Sequence, residues 1–259
     1  MAQQIIQVSS DFWNIRGSFK IGGVVDIKTH ASLVRLRNGS FVFLDSCALD
    51  QNARTRIASI VGDSGVEAVL NLHPFHTVHV RKMHEMYPEA RLYGTVRHHQ
   101  QFADMPWETE RTEDYELHDM YADDFRFSVP EGVDFVSSNE NIHFSSVLVI
   151  HDGSHTIHVD DTFMYFKLPR ILRIVGAGDS VGFHPTLPMA LAKRAGAVAE
   201  FRAWAESLIK DWEDAENLCA AHTGALLAGT NRGAPIATRL AKALKKVEPL
   251  LWIHQRRYG

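Results

Sequence analysis

Residues 66–80 read VEAVLNLHPFHTVHV, an apolar run followed by three histidines at every third position, His73, His76 and His79. The segment 66–72 predicts a short buried strand, and the residues that follow position 79 predict a short helix. The histidines therefore lie in a loop between a strand and a helix. Such a loop can turn two imidazoles toward one point, whereas a straight strand would send alternate side chains to opposite faces.

The residues around this loop predict an alternation of strands and helices. Residues 31–45 predict a β-hairpin, because two β-rich runs flank Asn38-Gly39, a pair favoured in tight turns. Asp152-Gly153 predicts a second hairpin in the same way. The other predicted strands cover 90–96, 133–136, 145–150, 156–160 and 218–221, and the predicted helices cover 50–62, 79–88, 188–212 and 234–247. This order is typical of a layered α/β architecture with the functional site in loops at strand ends.

The chain is predicted to form a single domain over residues 1–259. It contains no internal repeat, low-complexity tract or Gly/Ser-rich linker. Hydrophobic residues make up 45% of the 259 residues and charged residues 22%, which is an ordinary globular composition with enough apolar material for a large core.

Composition and charge argue against several classes of partner and location. The net charge of −4 argues against nucleic acid or an anionic membrane as the default partner. No stretch approaches the roughly 18 consecutive apolar residues of a membrane span, and the N-terminal residues lack the basic start and apolar run of a signal peptide. Only two cysteines occur, Cys47 and Cys219, so a disulfide framework is not expected. Together these features predict a cytoplasmic protein.

Residues 104–124 form an acidic segment, with nine acidic side chains against a single arginine, Arg111. Charge runs of this kind are usually solvated, so we expect a surface loop. The alternative is a lid or partner-binding segment in which Trp107 and Tyr115 act as apolar anchors.

Histidine is over-represented, with 15 residues, and most of them are clustered. Beyond the loop at 73–79, histidines occur at positions 143, 151, 155, 158 and 222, and Asp160 and Asp161 follow His158 closely. Imidazole and carboxylate groups together suit Zn²⁺, Fe, Mn²⁺ or Co²⁺, and the shortage of thiolates argues against a structural cysteine-rich zinc site. The sequence therefore predicts a bound transition metal.

With these residues in this order, the chain resembles the metallo-β-lactamase superfamily over roughly residues 30–225. That family carries a His-x-His-x-Asp-His loop after a strand, then a lone His, an Asp and a final His. His76-Thr77-Val78-His79 matches the second half of the loop. The later matches are His143 before a β-rich run, Asp161 after one, and His222 in the sequence Ala-Ala-His-Thr-Gly.

The resemblance implies a four-layered αββα sandwich with one or two divalent transition-metal ions, most often zinc, with iron or manganese as alternatives. One ion would be bound by His76, His143 and Asp161, and the other by His79, His222 and the same Asp161. Asp161 and His222 would also take part most directly in catalysis. Four further residues would hold these ligands and their loops in place, and they are His73, Asp160, His158 and Asp45, the last in a segment similar to the family's Asp-Thr-Gly.

Two positions depart from the family's loop. When His76 and His79 are aligned with the family's second and third loop histidines, Pro74 replaces the first histidine and Val78 replaces the aspartate. Neither side chain can bind a metal. In the family this aspartate helps to orient the attacking water, so Val78 motivates the hypothesis of a catalytically degenerate protein.

The function implied is metal-dependent hydrolysis, in which a metal-bound water attacks a small-molecule ester, lactone, thioester or phosphoester. The alternatives are a degenerate binding or regulatory protein and a di-iron redox protein, since relatives with di-iron centres use similar ligands. A small-molecule substrate is the expected partner, and a homodimer is an expected assembly. The remaining histidines considered are expected mostly at the surface, and they are His98, His99, His151, His155 and His184.

Overall fold

The computed structural model describes residues 3–21, 25–167, 179–231 and 233–259. The chain divides into two compact units, the first made of Met1–Phe127 with His151–Ser154 and the second of Ser128–Ile150 with His155–Gly259. Each unit has its own cluster of buried hydrophobic side chains. The single domain over 1–259 stays a prediction. Within the described ranges, no helix combines the length and the apolar character that crossing a bilayer requires.

The first unit is built on a sheet with the strand order β1-β2-β3-β4-β5-β6. The strands are β1 Gln4–Gln7, β2 Phe12–Ile21, β3 Val25–Arg35, β4 Phe41–Leu44, β5 Val66–Leu70 and β6 Arg91–Tyr93. The strands from β1 to β4 pair antiparallel, whereas β4, β5 and β6 pair parallel. The parallel pairing places the carboxyl ends of β4, β5 and β6 at one edge of the sheet.

The remaining elements of the first unit are α1 Gln51–Val61, α2 Val80–Met86, α3 Val96–Gln101, α4 Tyr115–Met120 and β7 Phe125–Ser128, whose last residue lies in the second unit. Helix α1 begins after Asp50, whose carboxylate accepts a hydrogen bond from the Ala53 amide at 2.8 Å. The hairpin predicted over 31–45 is confirmed as β3 and β4, and the helices predicted over 50–62 and 79–88 are confirmed as α1 and α2.

The second unit contains the other strands and helices. The strands are β8 Leu148–His151, whose last residue lies in the first unit, β9 Thr156–Val159, β10 Phe163–Phe166, β11 Ser180–Phe183, β12 Asn217–Ala220 and β13 Gly224–Leu226. The helices are α5 Leu187–Ala190, α6 Ala197–Asp211 and α7 Ile236–Tyr258. Four strands lie in the order β13-β12-β9-β8, with β9 parallel to β12, and β10 pairs antiparallel with β11. Aromatic and aliphatic side chains of α6 and α7 belong to the buried cluster of this unit.

Two predicted elements of the second unit are wrong. The predicted strand 133–136 is absent, because the Asp134 amide bonds to the Ala190 carbonyl at 2.9 Å instead of joining a sheet. The predicted helix 188–212 is interrupted between α5 and α6, where Gly196 has a left-handed φ of 83° that a continuous helix cannot contain. The predicted helix 234–247 exists but continues as α7 to Tyr258.

The expected surface loop at 104–124 is only partly correct. Acidic side chains such as Asp104 and Glu116 are exposed, but Thr112 and Leu117 are fully buried and residues 115–120 form α4. The Trp107 indole donates to the Phe102 carbonyl at 2.8 Å, and this ring packs against the core of the first unit. Tyr115 is 75% exposed, and the alternative of a lid or partner-binding segment stays a prediction.

The two cysteines, Cys47 and Cys219, are both buried and form no disulfide, in agreement with the sequence. Burial, with a smaller contribution from the Asp45 carboxylate, raises the pKa of the Cys47 thiol to about 12. Because the thiolate is the reactive form, burial and this raised pKa disfavour reaction of Cys47 at neutral pH.

We expect Gly132→Ala to destabilise the protein strongly. Gly132 has a φ of 69°, and a Cβ there would meet the Ala197 carbonyl and lie 2.8 Å from the Phe201 nitrogen, so α6 would have to move. Clashes with backbone combined with left-handed strain predict a loss of at least about 3 kcal/mol in the free energy of unfolding by urea. Gly229→Ala is the matched control, because nothing lies within 4 Å of the added Cβ. Equal losses for both variants would contradict this account.

Candidate metal centre

The carboxyl ends of β4, β5 and β6 in the first unit lead directly into loops that carry polar side chains. Asp45 follows β4, the histidine loop 73–79 follows β5, and Thr95 with His98 follows β6. Because the three strands are parallel, these loops leave the sheet at the same edge. Loops at such an edge are a common location for binding sites in α/β proteins.

Asp45 joins two of these loops through a strained backbone. Its φ is 64°, a region that an L-residue other than glycine adopts only at a cost, and its side chain is 2% exposed. The Asp45 carboxylate accepts a hydrogen bond from the Leu72 amide at 2.8 Å, and the Asp45 amide donates to the Leu70 carbonyl at 2.8 Å. Asp45 therefore fixes the chain at the point where it enters the histidine loop.

Asn71, the first residue after β5, links this edge of the sheet to Ser46, Tyr93 and Thr112. The Ser46 hydroxyl donates to the Asn71 side-chain oxygen at 2.6 Å, and the Asn71 side-chain amide donates to the Tyr93 carbonyl at 2.9 Å. Thr112, a buried residue of the acidic segment, donates its hydroxyl to the Asn71 carbonyl at 2.9 Å. This network of buried hydrogen bonds holds the base of the histidine loop in one conformation.

His73 and His76 stack within the histidine loop. Their ring centroids are 4.0 Å apart with an angle of 21° between the planes, and a ligand atom of each ring lies within 4.8 Å of the other. The Phe75 amide donates to Nδ1 of His73 at 3.1 Å, so in the neutral ring Nε2 carries the proton. His73 is fully buried and His76 is half-buried, which leaves His76 the more accessible of the two imidazoles.

His79 lies at the N-cap position of α2 without using its side chain as a cap. Burial, together with the positive charges of Lys82 and His76, lowers the pKa of its imidazole below the usual value. A neutral imidazole is the form that binds a metal ion, so this environment favours ligation.

The second unit brings Asp161 and His222 together by the same parallel geometry. Strands β9 and β12 are parallel with Val159 opposite Ala220, and the Ala221 amide bonds to the Val159 carbonyl at 3.0 Å. Asp161 and His222 each follow the end of one of these strands by two residues. Nε2 of His222 lies 3.1 Å from Oδ1 of Asp161.

His143 approaches the other oxygen of the same carboxylate. Its Nδ1 lies 3.8 Å from Oδ2 of Asp161, and its Nε2 lies 2.5 Å from the Glu140 carbonyl. A carbonyl can only accept, so Nε2 carries the proton, and in the neutral ring Nδ1 presents its lone pair toward Asp161. Asp161, which is 3% exposed, therefore has one histidine at each oxygen.

The donor set in this unit fits a divalent transition-metal ion. Two ligand atoms that share a metal with bonds of about 2.1 Å are at most about 4.2 Å apart, and the 3.8 Å between His143 Nδ1 and Asp161 Oδ2 satisfies this limit. A carboxylate contacted at both oxygens can bridge two ions. A buried carboxylate among imidazoles is also the arrangement in which a cation offsets the cost of burial.

His222 adopts a left-handed backbone conformation with φ of 44°. Its main chain continues into Thr223, whose hydroxyl accepts a hydrogen bond from the Tyr165 amide at 3.0 Å. Strain of this kind persists only where the surrounding structure imposes it, and it is concentrated at functional sites.

His184 belongs to this group, although the sequence placed it at the surface. It is only partly exposed, and burial lowers the pKa of its imidazole, while the Asp161 carboxylate opposes that effect and His222 and His143 add to it. Its Nδ1 lies 2.7 Å from the Thr186 hydroxyl, and its amide bonds to the Thr162 carbonyl at 3.2 Å. The signal available in the sequence was its position directly after an apolar strand, β11.

The predicted supporting residues of the second unit, His158 and Asp160, are both buried, with ligand atoms within 4.8 Å of each other. In the first unit, ligand atoms of Asp45 and His30 also lie within 4.8 Å of each other. His30 is a buried histidine that was not selected from the sequence. Asn14 contacts Nδ1 of His30 at 3.3 Å.

The expected surface positions are wrong for two further histidines. His151 is 3% exposed and bonds to the Ser154 hydroxyl at 2.8 Å. His98 is fully buried, accepts the Thr95 amide proton at 3.1 Å, and has its pKa lowered to about 3 by burial. His155 is partly exposed, with its ring 3.0 Å from the Asp214 carboxylate.

Comparison with solved structures finds metallo-β-lactamases that align with nearly the whole chain. The DIM-1 metallo-β-lactamase is 11% identical with a TM-score of 0.60, covering 96% of this chain and 99% of its own. The metallo-β-lactamase of Erythrobacter litoralis is 11% identical with a TM-score of 0.60, covering 94% and 96%. The FIM-1 enzyme of Pseudomonas aeruginosa, in its mono-zinc form, is 9% identical with a TM-score of 0.56, covering 95% and 96%. The chain has the metallo-β-lactamase fold.

The metallo-β-lactamase-like α/β fold class predicted from the histidines and their order is thus confirmed. No family model matches the sequence, and no curated protein is similar to it in sequence. At identities of 9–11% the likeness establishes the metallo-β-lactamase fold, and the chemistry must be argued from the residues of the site.

We expect Asp45→Ala to cost about 2–4 kcal/mol in the free energy of unfolding, because it leaves the buried Leu72 amide without its acceptor and keeps an alanine at a φ of 64°. Asp45→Asn retains an acceptor oxygen and a residue type that tolerates this backbone, so its cost should be less than half as large. Urea titration of both variants measures the difference. Similar losses for the two would show that the carboxylate charge, rather than the hydrogen bond, is what matters.

Proposed function

We propose that this protein is a metal-dependent hydrolase that acts on a small-molecule ester, lactone, thioester or phosphoester. The observation that carries the proposal is the buried Asp161 carboxylate with His222 at one oxygen and His143 at the other. The proposed ligands are His76, His79, His143, Asp161 and His222, with one or two ions bound. The metallo-β-lactamase fold supports the assignment.

The residues of the second unit have distinct roles in this proposal. A bound divalent ion would lower the pKa of a coordinated water toward about 7 and polarise the group to be cleaved. The Glu140 carbonyl accepts the Nε2 proton of His143, which leaves the lone pair of Nδ1 facing Asp161. The tight turn at His222 aims its ring at Asp161, and these two residues are the proposed catalytic residues.

The first unit supplies His76 and His79 in the proposal, with His73 and Asp45 as support. The hydrogen bonds of Asp45 and Asn71 fix where the loop begins, and the stacked His73 ring restricts the orientation of His76. The lowered pKa of His79 keeps its ring neutral at physiological pH. Asp160 and His158, both buried, are proposed to hold Asp161 and its strand in place.

Zinc is the proposed metal, with iron or manganese as the alternatives that the same ligands accept. One structural neighbour is described in a mono-zinc form, which supports zinc. The homodimer and the cytoplasmic location inferred from the sequence stay predictions.

A second candidate function is binding or regulation without turnover. It is favoured by Val78, which is 65% exposed at the position where the family's loop carries its aspartate. An exposed valine cannot orient a water molecule, and Pro74 likewise offers no ligand. A metal site retained without hydrolysis would therefore identify this second function.

Metal content tests the ligand assignment. Purified protein should contain about one or two equivalents of zinc, iron or manganese by elemental analysis, and His143→Ala, Asp161→Asn and His222→Ala should each lower that content by at least about half. The paired variant His76→Ala/His79→Ala should also lower the metal content by at least about half, because both residues are proposed ligands. His155→Ala is the control, because this partly exposed histidine is not a proposed ligand and its ring bonds to the Asp214 carboxylate. Metal-free wild type after supplementation would contradict the proposal.

Hydrolysis is tested separately on a panel of esters, lactones, thioesters and phosphodiesters. We expect one class to be cleaved, with kcat/KM falling at least about 100-fold in Asp161→Asn and in the chelated wild type. Activity that survives Asp161→Asn would come from another site. Full metal occupancy without turnover of any class would favour the binding function, and a visible absorption band in the fresh protein would favour a di-iron centre.

A further inference from the structure

From Lys242 onward, helix α7, Ile236–Tyr258, has one buried side and one exposed side. The buried side holds the helix in the core of the second unit, and its residues are Ile236, Leu240, Ala243, Leu244, Leu251 and His254. The exposed side, here called the outer face, consists of Lys242, Lys245, Lys246, Pro249, Leu250, Trp252, Ile253, Arg256 and Arg257. At 100° per residue these positions occupy a single continuous arc of the helix.

The outer face carries large apolar side chains that the fold does not cover. Leu250 is 42% exposed, Trp252 53% and Ile253 57%. They lie within one turn of the helix, while the other exposed large hydrophobic residues of the described ranges are scattered through the chain. Single exposed apolar residues are ordinary, but a group that includes a tryptophan indicates a contact surface.

Cations surround this apolar group. Lys242, Lys245 and Lys246 precede it and Arg256 and Arg257 follow it, and the Arg256 guanidinium lies over the Trp252 ring at 4.5 Å. Glu248 is the only acid in the helix sequence, and its carboxylate is bound by Arg202 at 2.9–3.1 Å. The outer face is thus strongly positive although the whole chain has a net charge of −4.

We propose that the outer face of α7 binds the surface of an anionic phospholipid membrane. Tryptophan and aliphatic side chains enter the boundary between headgroups and acyl chains, while lysine and arginine reach the phosphates. A nucleic acid would use the cations and leave Leu250 and Ile253 without a role. The proposal is independent of the hydrolase function, and it concerns attachment to a surface rather than a span.

The helix is already folded before it meets a membrane. Leu240, Leu244 and Leu251 anchor its other side in the core, so no ordering of the chain opposes binding. The negative charge of the rest of the molecule also orients it, because an anionic surface attracts the α7 face and repels acidic surfaces.

Vesicle sedimentation of the full chain tests the proposal. Vesicles of phosphatidylcholine alone are compared with vesicles of phosphatidylcholine and phosphatidylglycerol in equal parts. The bound fraction should be on the order of tenfold higher on the anionic vesicles, and it should fall as salt shortens the Debye length from about 10 Å at 0.1 M to about 3 Å at 1 M. Binding should also move tryptophan emission to shorter wavelength as Trp252 leaves water. Equal sedimentation with both vesicle types would overturn the proposal.

Matched variants separate this face from the rest of the surface. Trp252→Glu/Ile253→Glu and Lys245→Glu/Lys246→Glu should each reduce binding to anionic vesicles at least about tenfold. Tyr115→Glu is the control, because Tyr115 is 75% exposed and belongs to the first unit, and its binding should equal that of wild type. Binding retained by the α7 variants overturns the proposal. A dimer in analytical ultracentrifugation that Trp252→Glu dissociates, without vesicle binding, assigns the face to self-association and overturns it as well.

Discussion

Parallel pairing of neighbouring strands is the constraint on which the candidate residues of each unit depend. It makes the strands end at one edge, so the residues that follow them meet without being close in sequence. Asp161 and His222 are 61 positions apart, yet the register of β9 on β12 brings their side chains to 3.1 Å. In the first unit the same geometry delivers Asp45 and the histidine loop to one edge.

Local signals explain what could be predicted from the sequence. Three such signals act over only a few residues: the Asn38-Gly39 turn, the Asp50 cap of α1 and the apolar run of β5. The hairpin, the helix and the strand that contain them were all predicted from the sequence. The prediction of one helix over 188–212 was wrong. Its apolar spacing continues through 192–196, but the backbone of Gly196 adopts a left-handed φ that no α-helix contains. Residues 133–136 look β-rich, but their hydrogen bonds go to the end of α5. Tertiary contacts decide where these hydrogen bonds go, and such contacts leave no pattern in the local sequence.

The candidate site was predictable as a set of residue types but not as a geometry. The order of His76, His79, His143, Asp161 and His222 led to the metallo-β-lactamase fold, which the structure confirms. Burial could not be deduced in the same way, because a histidine looks alike in sequence whether it is solvated or enclosed. His184, His98 and His151 were therefore placed at the surface, whereas the structure encloses them to different degrees.

The backbone at His222 constrains how this position can evolve. Glycine would adopt a φ of 44° without strain but has no imidazole. Histidine keeps the imidazole at the cost of backbone strain. Mutational drift under selection for folding alone should therefore replace the side chain with glycine or asparagine. A lineage that keeps histidine here is under pressure from something other than stability, so the residue at this one position reports whether a relative needs an imidazole there.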